Sequence, residues 1–349
     1  MIRPAVSVII VNFNGGPLLN EAVRSVLSST IPVEVFVFDN GSTDGSLASV
    51  RELAGIDVCL EVIENQENLG FARANNIVLK QVRSEYVLLL NPDAVVKPDT
   101  LARMLETLSV YPEAGMAGCL LRNPDGTEQA GCRRNVPTPW RTLVRVLHFD
   151  KLIPNHPRFR DFVLTKQPLP EKPVFLEAIS GAFMFVRRKA LEDVGLLDEK
   201  YFLHCEDLDW CMRFRQAGWK ILFVPNLEVV HYSGMCSKDA PISVLWHKHK
   251  GMIRFYGKFF RHQYPWPLML LVIAAVWVRF LLVAGSMLIQ RHKPDKHVHL
   301  NQDRASLMPG GKVKDIKPPS VNSSADLEMS DPMLVISGTE AKRPYNRLP

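Results

Sequence analysis

The chain has 349 residues, 47% hydrophobic and 9% aromatic, which fits a globular core in one large domain or two small ones. Its formal charge of +6 is a mild basic excess, so where the charge lies matters more than its total. Six cysteines with no CxxC spacing exclude a paired disulfide framework and read as free thiols in a reducing compartment.

The opening "MIRPAVSVIIVNFNG" is not of signal-sequence type, because its apolar run is short and leads directly into Asn12 and Asn14. "VSVIIV" (6–11) is a β-branched run and predicts a strand with a polar end. "PLLNEAVRSVLSS" (17–29) has apolar residues at helical spacing. "VEVFVFDN" (33–40) and "YVLLLNPD" (86–93) are two more strands with polar ends. Such alternation predicts a Rossmann-like, mostly parallel mixed sheet with helices on both faces. Ligands of these sheets sit beyond the carboxyl ends of the strands, which directs attention to Asn12–Gly15, Asp39–Asp44 and Asn91–Asp93. The first strand is followed by "NFNGG" and not by GxGxxG, so a Rossmann dehydrogenase is set aside. Residues 133–173 are rich in Pro, Arg and aromatics and read as an excursion with one helix near "PWRTLVRVLHF".

Three carboxylate sites carry the chemistry. Asp39, at a strand end, can accept a hydrogen bond from the imide N–H of uracil or thymine; ordinary turn chemistry explains it as well. Asp93 in "LLLNPDAVV" can ligate a hard divalent cation shared with diphosphate oxygens; a β-turn is the stronger account of the tripeptide on its own. "FLHCEDLDWC" (202–211) sets Glu206, Asp207 and Asp209 among apolar residues. Carboxylates resist burial unless paired, hydrogen-bonded or bound to a cation. "LDWCMRFRQAG" reads as a helix with Gly218 at its C-cap, so helix capping competes with catalysis for Asp207. His231, near the end of a β-type run, is structural unless it joins Asp93 around a metal.

The C-terminal part changes character. From Leu245 to Gln263, apolar Leu245, Trp246, Met252, Ile253, Tyr256, Phe259 and Phe260 are set against basic Lys250, Arg254, Lys258 and Arg261, the pattern of a helix on an anionic membrane surface. "WPLMLLVIAAVWVRFLLVAGSMLI" (266–289) is long enough to span a bilayer, but its central Arg279 lets an interfacial helix compete with a span. Residues 291–349 have few aromatics and no periodicity, and read as a disordered tail. The expected domains are therefore 1–240, 241–290 and 291–349.

Seven segments, in order, resemble the family 2 glycosyltransferases, which have the GT-A fold: "VSVIIVNFN", "VFDNGSTDGS", "NLGFARANN", "LLLNPDAVV", "SGAFMFVRR", "GLLDEKYFLHCEDLDWCMRFRQAGWKILFVP" and "VVHYSG". The resemblance covers residues 6 to about 240 and is nearest to the bacterial rhamnosyltransferase-type branch, which builds cell-wall and surface polysaccharides. It implies that Asp39 binds the donor's base, that Asp93 with His231 holds Mg2+ or Mn2+, and that Asp207 is the catalytic base. Glu206 and Asp209 would orient acceptor or base, and Asn12, Asn14, Asn40, Gly70, Arg73, Asn76 and Asn91 would line the nucleotide-sugar pocket. Asn91 stands where many relatives have the first Asp of a DxD motif, which lowers the charge of the ligand set.

The expected activity is inverting, metal-dependent sugar transfer, with dTDP-L-rhamnose as leading donor and a lipid-linked or glycan acceptor. UDP-hexose, UDP-N-acetylhexosamine or UDP-galactofuranose are alternative donors. A non-catalytic nucleotide-binding subunit of a glycan assembly complex is the alternative of another class. The expected place is the cytoplasmic face of the membrane, since basic residues cluster on the N-terminal side of the apolar stretch. The partners do not include nucleic acid, and the oligomeric state, a homodimer included, stays open.

Overall fold

Val6, Val8 and Ile10 of the first strand are buried in one core cluster, and Ile9 and Val11 in a second. Side chains alternate along a strand, so a run that is apolar toward both sides, interrupted here by the buried Ser7, is what a strand covered on both faces requires. The computed structural model describes residues 4–146, 156, 162–234 and 241–291; the tail read as disordered falls outside the described residues from position 292 onward.

The strands are β1 (Val6–Asn12), β2 (Val33–Asn40), β3 (Leu60–Asn65), β4 (Tyr86–Leu90), β5 (Ala94–Val95), β6 (Ala114–Arg122), β7 (Arg133–Arg134), β8 (Val174–Leu176), β9 (Ala178–Ile179), β10 (Phe183–Arg187) and β11 (Lys220–His231). The main sheet runs β3-β2-β1-β4-β10-β6-β11-β5, with β8 on β11. Neighbours among β3, β2, β1 and β4 are parallel, β10 is antiparallel to both β4 and β6, and β6 is parallel to β11. A separate antiparallel pair joins β7, at the start of the excursion, to β9, which follows it.

Helices α1 (Leu18–Leu27), α2 (Leu47–Ala54) and α4 (Thr100–Val110) contribute buried residues to the first cluster. Helices α3 (Phe71–Leu79), α6 (Arg188–Val194) and α7 (Glu206–Gln216) contribute to the second. The predicted two-faced sheet is thus present. The excursion supplies α5 (Pro139–Val146), the helix expected there. Cys59, Cys119, Cys132, Cys205 and Cys211 are free thiols, as their spacing suggested.

Two C-terminal helices follow, α8 (Pro241–Phe259) and α9 (Trp266–Arg291). Here the expected orientation is corrected. Arg254 and Lys258 do not face outward to lipid: both reach Asp198, and Lys258 also reaches Asp209, at 2.6–2.9 Å. The apolar face of α8 packs into the second cluster, where Phe255 and Tyr256 are fully buried in the same core as Leu208, Trp210 and Phe214 of α7. The Tyr256 hydroxyl lies 2.6 Å from Thr142 Oγ1 of α5. Periodicity had identified the two faces of α8. It could not reveal that two distant aspartates supply the counter-charges.

Candidate active site

The carboxyl ends of β1 and β2 are tied together by side chains. Register places Asn12 opposite Asp39. The Asn12 amide, fully buried, donates to Asp39 Oδ1 at 2.8 Å and lies 3.0 Å from both Ser42 Oγ and Ser46 Oγ, while its Oδ1 accepts from the Gly15 N–H. Asp39 Oδ2 accepts from the Ser42 N–H at 3.0 Å. Each carboxylate oxygen offers two lone pairs, so Asp39 keeps acceptor capacity toward a base. Asn14, in left-handed conformation (φ 53°), accepts from the Thr43 N–H through Oδ1.

A second strut runs from β2 to the start of α3. Asn40 accepts from the Leu69 N–H and donates to the Gly70 carbonyl. Gly70 (φ +81°) touches the segment leading into α7 so closely that a Cβ there would lie 2.4 Å from the Phe202 carbonyl oxygen. The next N–H, of Phe71, donates to that same oxygen at 2.8 Å. Asn76 donates to the Leu197 carbonyl and Glu199 Oε1 and accepts from the Leu197 N–H.

These contacts correct part of the expected pocket. Asn12, Asn40 and Asn76 are at most 2% exposed, and their amides are used inside the protein. They are struts beneath the cleft, because a buried amide must be satisfied by the fold itself. Gly70 serves through close backbone approach. Arg73 is exposed and Asn14 half-buried, both on the rim.

The end of β4 meets the end of β11. The β5–β11 pairing sets Ala94 opposite His231, and the Tyr232 N–H donates to the Asp93 carbonyl. His231 Nε2 therefore lies 3.1 Å from Asp93 Oδ1 and 3.1 Å from Asn91 Nδ2. Gln129, absent from the expected set, fixes the imidazole. Its Nε2 donates to the His231 carbonyl and to Asn123 Oδ1, which leaves Oε1 to accept from His231 Nδ1 at 2.6 Å. In a neutral ring with its proton on Nδ1, the Nε2 lone pair accepts from the Asn91 amide and faces the Asp93 carboxylate. Two electron-rich atoms facing each other, 3% and 6% exposed by residue, are what a divalent cation would bridge. Among the described residues no group of three or more His, Cys, Asp or Glu side chains could hold a metal. A two-ligand site completed by diphosphate and water suits Mg2+ or Mn2+, which are seldom caged by protein alone.

Asp207 sits in the first turn of α7. Its Oδ1 accepts from the Leu208 N–H at 2.7 Å, and its Oδ2 from the Gly181 N–H at 3.2 Å and from Arg134 Nη2. Arg134 also donates to the Ile179 carbonyl, while its buried Nε has no partner. Arg134 carries no pattern signal in the sequence, since β7, its strand, is two residues long. His204 and Cys205, just before α7, both adopt left-handed backbone conformations (φ 69° and 70°) without being glycine. Such strain persists where surrounding structure over-determines it, and Gly251 of α8 packs directly against the His204 carbonyl.

Glu206 is 6% exposed and its Oε2 has no hydrogen-bond partner. Burial, with the adjacent Asp207 charge, pushes its carboxyl up to about 8. Asp209 does not reach the cleft: it is fully buried, with Oδ1 on Arg213 Nε at 2.7 Å and Oδ2 on Lys258 Nζ at 2.6 Å. The expected acceptor-orienting role for Asp209 is replaced by anchoring of α7 to α8.

The two poles adjoin. Gly181 donates to Asp207, and the next residue, Ala182, accepts at 3.0 Å from the Asn91 N–H. One short segment thus carries Asp207 on one side and the Asn91–Asp93 turn on the other.

The model of the family described as "Glycosyl transferase family 2" matches residues 7–195. The chain belongs to that family. A second model, "Glycosyltransferase like family 2", matches residues 165–254 of this family 2 glycosyltransferase, through α7 and into α8. It is similar to the N-acetylglucosaminyl-diphospho-decaprenol L-rhamnosyltransferase of Mycobacterium tuberculosis, with 30% identity over 272 residues, 74% of this chain and 85% of the relative. It is also similar to the rhamnosyltransferase WbbL of Escherichia coli, with 26% identity over 181 residues, 47% of this chain and 61% of the relative. These place it as a rhamnosyltransferase-like family 2 member. Among solved structures, the mannosyltransferase PcManGT from Pyrobaculum calidifontis in complex with GDP-Man and Mn2+ superposes with a TM-score of 0.52 at 20% identity, covering 87% of this chain and 81% of that one. That likeness concerns the fold, which is GT-A.

Proposed function

We propose that this glycosyltransferase moves L-rhamnose from dTDP-L-rhamnose, with inversion, to a lipid-linked acceptor in cell-wall or surface-glycan synthesis, at the cytoplasmic face of the membrane. The observation that carries the reading is the adjacency of Asp207 and the Asn91–Asp93 turn through Gly181 and Ala182. The name of the mycobacterial relative supports both the sugar and the diphosphate-linked acceptor.

In this reading Asp39 receives the imide N–H of thymine, held in place by Asn12 and Ser42. Asp93 and His231 hold the divalent cation, which when bound neutralises the charge developing on the departing diphosphate. Asp207 is the general base. Its Oδ1, which receives the Leu208 N–H, keeps a lone pair for an acceptor hydroxyl. The hydroxyl oxygen attacks the anomeric carbon as its proton passes to Asp207, and the bond to the diphosphate breaks with its electron pair leaving on the phosphate oxygen. Arg134 and the Gly181 N–H fix the carboxylate so that the attack is in line. Glu206, holding its proton, adds no second negative charge beside Asp207 on that side of α7.

The test is a panel of nucleotide sugars with a polyprenyl-diphosphate-linked acceptor, with and without EDTA. Transfer from dTDP-L-rhamnose is expected, lost with EDTA and restored by Mn2+ or Mg2+. Asp207→Asn is expected to abolish transfer while binding the donor as wild type does; turnover at the wild-type rate would refute the assignment of the base. Transfer from a UDP-linked sugar instead would keep the reaction and change the donor.

A further inference from the structure

Helix α9 meets protein along one line and water along the other. Met269, Val272 and Val276 are buried in the core cluster that also holds α7 and α8. On the opposite side Leu270, Leu271, Val278, Leu281, Leu282 and Ile289 are each 54–66% exposed. From Leu270 to Ile289 this aliphatic strip runs about 28 Å at the usual helical rise. Soluble monomers rarely leave so long an apolar strip uncovered. The stretch Trp266–Ile289 reaches a mean hydropathy of 2.5 over 18 of its residues and is long enough to cross a membrane.

The position of α8 decides between crossing and lying flat. It runs antiparallel alongside α9: the Trp246 ring lies 4.9 Å from Trp277, His249 lies 5.6 Å from Phe280, and Phe259 and Phe260 share the cluster with Met269. Standing α9 along the bilayer normal would carry α8, with Lys250, Arg254 and Lys258, to hydrocarbon depth. It would also drag in Asp198 and Asp209, to which Arg254 and Lys258 are bonded. Lying flat immerses only the outer strip. Charge agrees with one particular surface. Residues 241–291 include no Asp or Glu, and with Arg254 and Lys258 committed to Asp198 and Asp209, Lys250, Arg261 and Arg279 are exposed cations of this segment.

We propose that α9 is an in-plane helix, seated with its outer strip in the acyl boundary of an anionic leaflet and bordered by the basic residues. The inference rests on the reading of a lipid-linked acceptor and gives it a geometry. Lys258 joins α8 to Asp209, so the catalytic helix α7 is held at a fixed height above the lipid.

The experiment combines flotation with depth measurement on the full chain. Wild type is expected to float with phosphatidylglycerol-containing vesicles and at least ~10-fold less with phosphatidylcholine alone. Leu271→Lys, Val278→Lys and Leu282→Lys together should leave the protein in the unbound fraction while transfer to a short water-soluble acceptor stays unchanged. A fluorophore placed in turn at positions 270, 278 and 289 should be quenched by spin-labelled lipid at one shallow depth, on the order of 5–10 Å below the headgroups. Position 278 at the bilayer centre, with 270 and 289 near opposite surfaces, would overturn the proposal in favour of a span. A wild type that ignores vesicles and forms a dimer dissolved by the three lysines would overturn it in favour of a second copy on the strip. Flotation with shallow probes but no sugar transfer would uphold the helix and count against the function.

Discussion

Replacing Glu206 by glutamine should remove a pH dependence from the stability of the whole protein. Glu206 is 6% exposed, beside Asp207 and Asp209 on its own helix and with Arg134 facing it from β7, and its carboxyl is raised to about 8. Burial is the largest cause and the Asp207 charge the next. A raised carboxyl binds its proton more tightly folded than unfolded. Its stabilising contribution is therefore complete below the unfolded value near 4.5 and is lost as pH rises through about 8. At roughly 1.4 kcal/mol per pH unit the whole effect has a ceiling of about 5 kcal/mol. About 3 kcal/mol of that falls between roughly pH 6 and pH 9, a large part of a typical domain's stability of about 5–15 kcal/mol. Urea unfolding followed by tryptophan fluorescence reads this directly, since Trp210 is buried in the same helix. Wild type should lose stability steadily over that range. Glu206→Gln should be nearly flat, with a constant offset for its amide. Parallel profiles for the two proteins would refute the buried, proton-holding Glu206.

Two further outcomes follow from the ion pairs and the metal pair. Lys258→Met strips one of two cations from the fully buried Asp209 and should cost about 3 kcal/mol in urea unfolding, whereas Lys97→Met, at an exposed pair with Glu228, should cost less than about 1 kcal/mol; equal losses would remove the anchoring role. Gln129→Leu frees the imidazole of His231 and should raise the Mn2+ concentration for half-maximal turnover by roughly 10–100-fold, with an unchanged Mn2+ titration speaking against a metal at His231.

The central sheet was legible because β1, β2 and β4 are mostly buried on both faces and write this as predominantly apolar runs, broken by Ser7 and Glu34, with polar ends. α7 was equally plain, from Leu208 and Cys211 spacing to Gly218 with its φ of +88°. The insertion of β10 antiparallel between β4 and β6 was not, since strand order depends on pairings between distant segments. Of the proposed site, Asp39, Asp93, Asp207 and His231 were visible as carboxylates and an imidazole at element ends. What lay hidden was the inner division of labour. Asn12, Asn40 and Asn76 look like binding residues because they are polar and near the cleft, but their burial makes them internal braces. Gln129 and Arg134 sit in an irregular stretch where no period singles out a residue. Asp209 differs from Asp207 only in helical phase: two positions on, it has rotated away from the cleft toward α8.

The joint between α7 and α8 also bears on how this enzyme can be cut. A fragment ending near residue 240 would look reasonable from hydropathy, since it drops the greasy part of the chain. It would open the core that Trp210 and Phe214 share with Phe255 and Tyr256, and strand the Asp209 anion beside a single arginine. Soluble fragments prepared for crystallisation or calorimetry should therefore keep both C-terminal helices and lose their greasiness, where necessary, by recolouring the outer strip of α9.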